Sequence, residues 1–194
     1  YFLGERQLAG KWLLYDNSVR VPLMIYDPRK KSHIDSDVMA LNIDVPATIL
    51  DIAGIERPKN WHGKSLMPVV AEKKGDINRD TVLIEHLWEF DRIPPSEGVR
   101  TNKWKYFRYV KDKSVEELYD LEADPKETQN LAKDPKYATK LNAFRNKTDS
   151  RIRELSDRFS VGPTELSVDG IGKKVGATIR GERPEYGWIV PNLA

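Results

Sequence analysis

Two hydrophobic periods alternate along this chain. The apolar run Val21, Leu23, Met24, Ile25 and Tyr26 predicts a buried strand over 19–26, with Pro22 at its start or on an edge because proline brings no ladder donor. Residues 38–43 predict a second short strand. From Asp44 the spacing changes to that of a helix, DVPATILDIAG: Asp44 is placed to cap it, Pro46 sits in the first turn, and Gly54 ends it. Val45, Ile49, Ile52 and Ala53 would form its inner face. Further on, strand patterns recur at 81–87, 99–101, 105–110 and 117–121, the middle pair joined by a tight turn at Asn102 and Lys103. A helix starting at Asp134 runs to about Leu155, with Tyr137, Leu141, Phe144, Thr148, Ile152 and Leu155 in one stripe.

Strand, helix and return suit the closing part of an α/β domain, here 1–78. Short strands followed by one long helix imply a small antiparallel sheet packed with that helix over 79–155. From Ser156 the character changes: six of the 12 glycines lie in 156–194, with Pro163, Pro184 and Pro191. This last stretch is expected to be an extended tail, anchored if at all by Trp188, Ile189 and Val190. The chain opens with a charged, glycine-bearing loop and a possible helical turn. Within it Lys11, between Gly10 and Trp12, delivers a cation beside a core strand, a usual place for an anion-handling group.

Composition narrows the possibilities. Net charge is +2, from 32 basic and 30 acidic residues well mixed, which supports neither nucleic-acid binding nor a membrane patch. No apolar run approaches the ~20 residues that span a bilayer. Mean hydropathy is −0.61, which suits a protein with a modest core. There are no cysteines, hence no disulfide, no thiolate metal site and no cysteine nucleophile. The three histidines, His33, His62 and His86, are not at ligand spacing, so no metal ligand is assigned in this chain.

The segment GERQLAGKWLLYDNSVRVPLMIYDP resembles the loop, lysine and strand that follow the second metal-binding motif of type I, formylglycine-dependent sulfatases in the alkaline phosphatase superfamily. DVPATILDIAG with the following Gly63-Lys64-Ser65-Leu66 resembles that family's recurrent D-x-x-P-T-x-x-D-x-x-G helix. VRTNKWKYFRYV and ELYDLEADPKETQNLA resemble its C-terminal subdomain. The resemblance runs from Tyr1 to about Leu155. It implies an alkaline-phosphatase-like α/β domain and hydrolysis of sulfate esters, on a sulfated polysaccharide or glycosaminoglycan. It also implies that this chain is the C-terminal portion of such an enzyme and partners an N-terminal sulfatase region. The formylglycine arises from a Cys/Ser-x-Pro-x-Arg motif that this chain lacks. That residue and the family's calcium would both lie outside the chain, so the chain alone is expected to be inactive. A periplasmic or secreted location is implied as well. A phosphodiesterase or phosphonate monoester hydrolase of the same superfamily, or a non-catalytic glycan-binding or dimerisation module, are the rival readings.

Residues alone leave Lys11 a solvated loop lysine; the resemblance makes it the family's sulfate-contacting lysine. Many relatives carry His where Arg6 stands, so Glu5 and Arg6 are expected to form a local ion pair that fixes the loop. Arg20 reads as a structural partner for buried carboxylates, Arg100 as structural, and Asp16 and Asn17 as turn or capping residues. His33 is expected in solvent, and His62 could line a cleft. His86 ends a strand and precedes Trp88 and Arg92: either a substrate rim for a sulfated sugar, or a satisfied core histidine beside a packing tryptophan.

Overall fold

The computed structural model describes residues 1–11, 13–31, 33–72, 77–87 and 93–158. Contacts divide the chain into two compact units, one of Tyr1–Val19 with Leu83 onward and one of Arg20–Val82.

The first unit is built on a four-stranded antiparallel sheet, β3 (Val82–His86), β4 (Ser96–Arg100), β5 (Trp104–Tyr109) and β6 (Glu116–Asp120), paired in chain order. Strand alternation sends Tyr106 and Leu118 to one face, Phe107 and Tyr119 to the other. A single turn of 3-10 helix over Pro135–Tyr137 leads into α4 (Ala138–Arg158), which covers the first face. There Val99, Tyr106 and Leu118 pack with Leu131, Leu141 and Phe144. The expected stripe on this helix is therefore the one buried. The N-terminal segment covers the second face. It forms a small hairpin, β1 (Phe2–Leu3) with β2 (Ala9–Gly10), followed by one helical turn, α1 (Asp16–Val19). Phe2, Leu14 and Tyr15 pack there on Phe107, Tyr119 and Leu121, with Tyr15 edge-on to Phe107 at 5.3 Å.

A sheet covered on both faces buries most side chains of its two inner strands, polar ones included. Gly98 answers the same crowding: a Cβ there would stand 2.1 Å from the Tyr106 carbonyl oxygen and 2.5 Å from Phe107 Cα. The outer edge of β6 is closed by Asn130, whose amide oxygen accepts from Leu118 N at 3.0 Å and whose amide donates to the Glu116 carbonyl at 3.1 Å.

The second unit is organised by α2 (Asp44–Ile52) and the short α3 (Met67–Val70). Three expectations are corrected here. Residues 19–26 beyond α1 form no strand and lie open, with Met24 92% and Tyr26 87% exposed. Their apolar run finds no sheet neighbours within this unit to complete its backbone hydrogen bonds. Residues 38–43 form no strand either. And α2 buries Asp44, Ala47 and Thr48, leaving Ile49 and Ile52 59% and 65% exposed. The buried side of that helix is polar because Asp44 is a hub rather than a cap. Its carboxylate accepts from Leu41 N and Lys64 N, both at 2.8 Å, and from both terminal nitrogens of Arg79 at 2.6 and 2.5 Å. Burial alone would raise the Asp44 pKa, but the Arg79 pairing and the Lys64 and Leu41 backbone hydrogen bonds together outweigh it and hold the carboxyl below its ordinary value. Thr48 continues the network, donating to the Asp44 carbonyl at 2.7 Å and accepting from Leu66 N at 2.9 Å. The expected tail, with Trp188, Ile189 and Val190, lies outside the described residues.

Replacing Gly98 by alanine should destabilise the sheet by about 3 kcal/mol or more, since the obstructing atoms are backbone. Urea unfolding of Gly98→Ala against the parent chain measures it, and an unchanged midpoint would contradict the close approach.

Candidate functional site

Lys11 follows directly on β2, after a left-handed Gly10 (φ 87°), and is exposed. Its ammonium stands 5.6 Å from the centre of the Tyr1 ring. What holds this position is the hairpin beneath it. Phe2 pairs with Gly10 and Leu3 with Ala9, while Gly4 N donates to the Leu8 carbonyl at 3.0 Å. Arg6 and Gln7 occupy the left-handed region (φ 58° and 59°), where side chains other than glycine are strained.

The expected Glu5–Arg6 ion pair is replaced by two separate anchors. Glu5 accepts from Leu3 N at 2.6 Å. Arg6 reaches across to the loop after β6, donating to the carbonyls of Lys126 (3.0 Å) and Glu127, with its guanidinium 4.0 Å over the Tyr15 ring. Arg6 is thus a structural clamp.

On the second face of the sheet lies a buried charge cluster. Lys105, the second residue of β5, is fully buried and pairs with Asp16 and, at 2.5 Å, with Glu127. Asp16 also accepts both Arg100 Nε and Nη2, at 3.0 and 2.9 Å, and its own backbone N–H donates to Glu127 at 2.7 Å. Two cations and two carboxylates balance. Burial would raise the Asp16 pKa, yet the Arg100 hydrogen bonds and the Lys105 charge prevail and bring it down to about 2. Glu127 is pushed the other way: burial dominates and raises it above the ordinary carboxylate value, although Lys105 opposes that shift. A second pairing of the same kind ties the sheet to α4, where Arg108 bonds Glu97 at 2.8 Å and Asp149.

Asp16 therefore does more than turn the chain, and Arg100 is structural as expected. The buried-carboxylate partner expected at Arg20 is supplied instead by Arg79, Arg100 and Arg108; Arg20 itself is exposed. Lys105 and Glu127 went unrecognised in the sequence. Their signal was a lysine at an inward strand position and a glutamate inside DPKETQNLA, legible only once both sheet faces are known to be covered.

His86 closes β3, half-buried, and burial pushes its imidazole pKa below the ordinary value. Trp88 and Arg92 lie outside the described residues. His33 is exposed, 3.0 Å from Asp35. His62 is partly buried, with its backbone carbonyl near Arg79. Among the described residues no group of three or more His, Asp or Glu side chains could hold a metal ion. The densest carboxylates, Asp16 and Glu127, are already neutralised by Lys105 and Arg100, so they do not fit calcium. No helix among the described residues is long and apolar enough to cross a membrane.

An antiparallel sheet backed by a long helix on one face and by a short N-terminal hairpin on the other is a mixed α/β architecture that sulfatases share. The chain belongs to the sulfatases of the alkaline phosphatase superfamily: residues 4–155 match the family model of the N-sulphoglucosamine sulphohydrolase C-terminal domain. It is 33% identical over 163 residues to an N-acetylglucosamine-6-O-sulfatase of Bacteroides thetaiotaomicron, covering 81% of this chain and 29% of that protein. To a choline-sulfatase of Rhizobium meliloti it is 40% identical over 151 residues, covering 74% of this chain and 28% of the relative. A structure solved in complex with its substrate D-glucosamine-2-N,6-O-disulfate superposes with a TM-score of 0.72 at 29% identity, over 80% of this chain and 33% of that one. The chain thus spans about a third of the length of the relatives it matches.

Removing Lys105 leaves two carboxylates buried against one cation. Lys105→Met should cost about 3–5 kcal/mol of stability, read from denaturant unfolding. The cluster also sets an acid limit. The depressed Asp16 contributes stability that is present above its unfolded pKa of 3.8 and lost as pH falls through about 2. Melting temperature should therefore drop steeply across that window, and the drop should flatten in Asp16→Asn.

Proposed function

We propose that this chain is the C-terminal part of a sulfatase that hydrolyses sulfate esters of a sulfated polysaccharide or glycosaminoglycan, and that Lys11 contacts the sulfate group. The observation that carries this reading is the presentation of Lys11: an exposed cation directly after a clamped hairpin strand, in a chain of this family. Two relatives are named for sulfated sugars, the N-acetylglucosamine-6-O-sulfatase and a Δ4,5-hexuronate-2-O-sulfatase of the same bacterium, 33% identical over 160 residues. A lysine ammonium is a compact charge, and a preorganised cation offsets negative charge as it builds on the departing sulfate oxygens. The formylglycine and calcium expected of the whole enzyme, which supply the nucleophile and neutralise sulfate oxygens, would be held by residues outside this chain. A periplasmic or secreted location fits such a substrate.

His86, with its lowered pKa, is a neutral imidazole at neutral pH. It therefore suits a sugar hydroxyl, as donor or acceptor, better than it suits pairing with a sulfate. Trp88 and Arg92 would complete that rim by stacking on the sugar and pairing with its anionic groups. The open run from Val21 to Tyr26 supports a role within a larger protein, as an apolar segment of this length is seldom left in water. In the whole enzyme it would join the α/β sheet of the N-terminal sulfatase region.

Lys11→Ala in the full-length protein should lower kcat/KM on a sulfate ester by about 10²–10³-fold, the usual loss for one oxyanion-stabilising group. An unchanged kcat/KM would overturn the assignment. The isolated 194-residue chain should show no turnover of an aryl sulfate. Turnover would contradict a nucleophile held elsewhere, and tight, saturable binding of sulfated oligosaccharide by the isolated chain would favour a binding module.

A further inference from the structure

We propose that Asp16, Arg100, Lys105 and Glu127, with Arg6, are positioning residues for Lys11: the buried charge cluster sets where the lysine loop stands. The proposal rests on the reading of Lys11 as the sulfate contact.

Lys11 lies between two attachments to one sheet face. Before it, Phe2 is buried against the sheet and pairs with Gly10. After it, Leu14 and Tyr15 are buried and Asp16 enters the cluster, five residues beyond the lysine. The loop's ends are therefore held, with the exposed Lys11 between them.

The hairpin turn below is strained, with Arg6 and Gln7 both left-handed. Strain of this kind persists only where surrounding contacts over-determine it. Those contacts come from the Glu127 loop: Arg6 donates to the Lys126 and Glu127 carbonyls and lies over Tyr15. Glu127 itself sits in the left-handed region (φ 54°), which turns its carbonyl to Arg6 and its carboxylate to Lys105. One residue thus grips the hairpin by its backbone and the following segment by its side chain, through Asp16 N at 2.7 Å.

Stability alone does not call for ions here. Well-packed apolar residues of similar volume commonly serve as well as a buried ion pair or better. What an ionic cluster adds is discrimination between registers. Asp16 is engaged by Arg100 on β4 and by Lys105 on β5, so both strands define its location. A shift of Asp16 by a few ångströms would break all of these bonds at once. Positional precision matters for the cation, because displacement by about 1 Å can cost on the order of 10²-fold in rate.

The test is a double-mutant cycle in the full-length protein, with kcat and KM measured on an aryl sulfate. Asp16→Asn keeps the shape of the side chain and removes its charge. It should lower kcat by about tenfold or more while KM moves by less than about threefold. In the Lys11→Ala background the same substitution should have almost no further effect, since the group it positions is gone. Full multiplication of the two penalties would overturn the proposal and leave the sulfate contact standing. A silent Lys11→Ala would instead remove the sulfate contact itself, and the proposal with it. Should Asp16→Asn fail to fold, as read by circular dichroism, Glu127→Gln carries the same cycle. Arg100→Lys, which keeps the cation but not its paired donors, should recover only part of the rate lost in Arg100→Ala.

Discussion

Lys105 is the residue on which this structure turns. It stands near the start of β5, one of the two inner strands, and is fully buried because the sheet is covered on both faces. A buried ammonium is tolerable only with counter-charge at contact distance. The chain meets this from two remote places, Asp16 ahead of the sheet and Glu127 after it. Meeting that electrostatic requirement draws the N-terminal segment and the post-sheet loop onto one face, and the lysine hairpin comes with them. Arg108 repeats the solution on the other face with Glu97 and Asp149, drawing in the long helix.

The two units use ions for the same purpose at different scales. In the Arg20–Val82 unit a single carboxylate, Asp44, gathers Leu41, Lys64 and Arg79 around one helix end. Its apolar core is small, and several of its aliphatic side chains stay open. In the larger unit, aromatic packing supplies the bulk of the burial and the ion clusters set the alignment. The division follows from geometry: apolar contacts tolerate small shifts, whereas bidentate pairs do not.

Much of the later unit was legible beforehand. The four strands and the long helix announce themselves through period-two and period-three-to-four patterns, because each element meets its partners within the same stretch of chain. The first part was harder. Residues 19–26 have the composition of a buried strand, yet a strand exists only where a neighbour offers hydrogen bonds, and none is offered within their unit. The inner face drawn for α2 from Val45, Ile49 and Ile52 also proved to be the open one, since Asp44 and Thr48 bind the backbone of the segment that follows.

By itself the sequence determined the family and the order of the sheet-and-helix elements. These are local signals: motif spacing and hydrophobic period. Only the tertiary structure decided that Asp16, Arg100, Lys105 and Glu127 belong together, or that Arg6 clamps a carbonyl instead of pairing with Glu5. Those partners lie roughly a hundred residues apart, and no local pattern encodes which buried charge will neutralise which. That choice is made when two covered faces exclude water and leave each ion a single place to go.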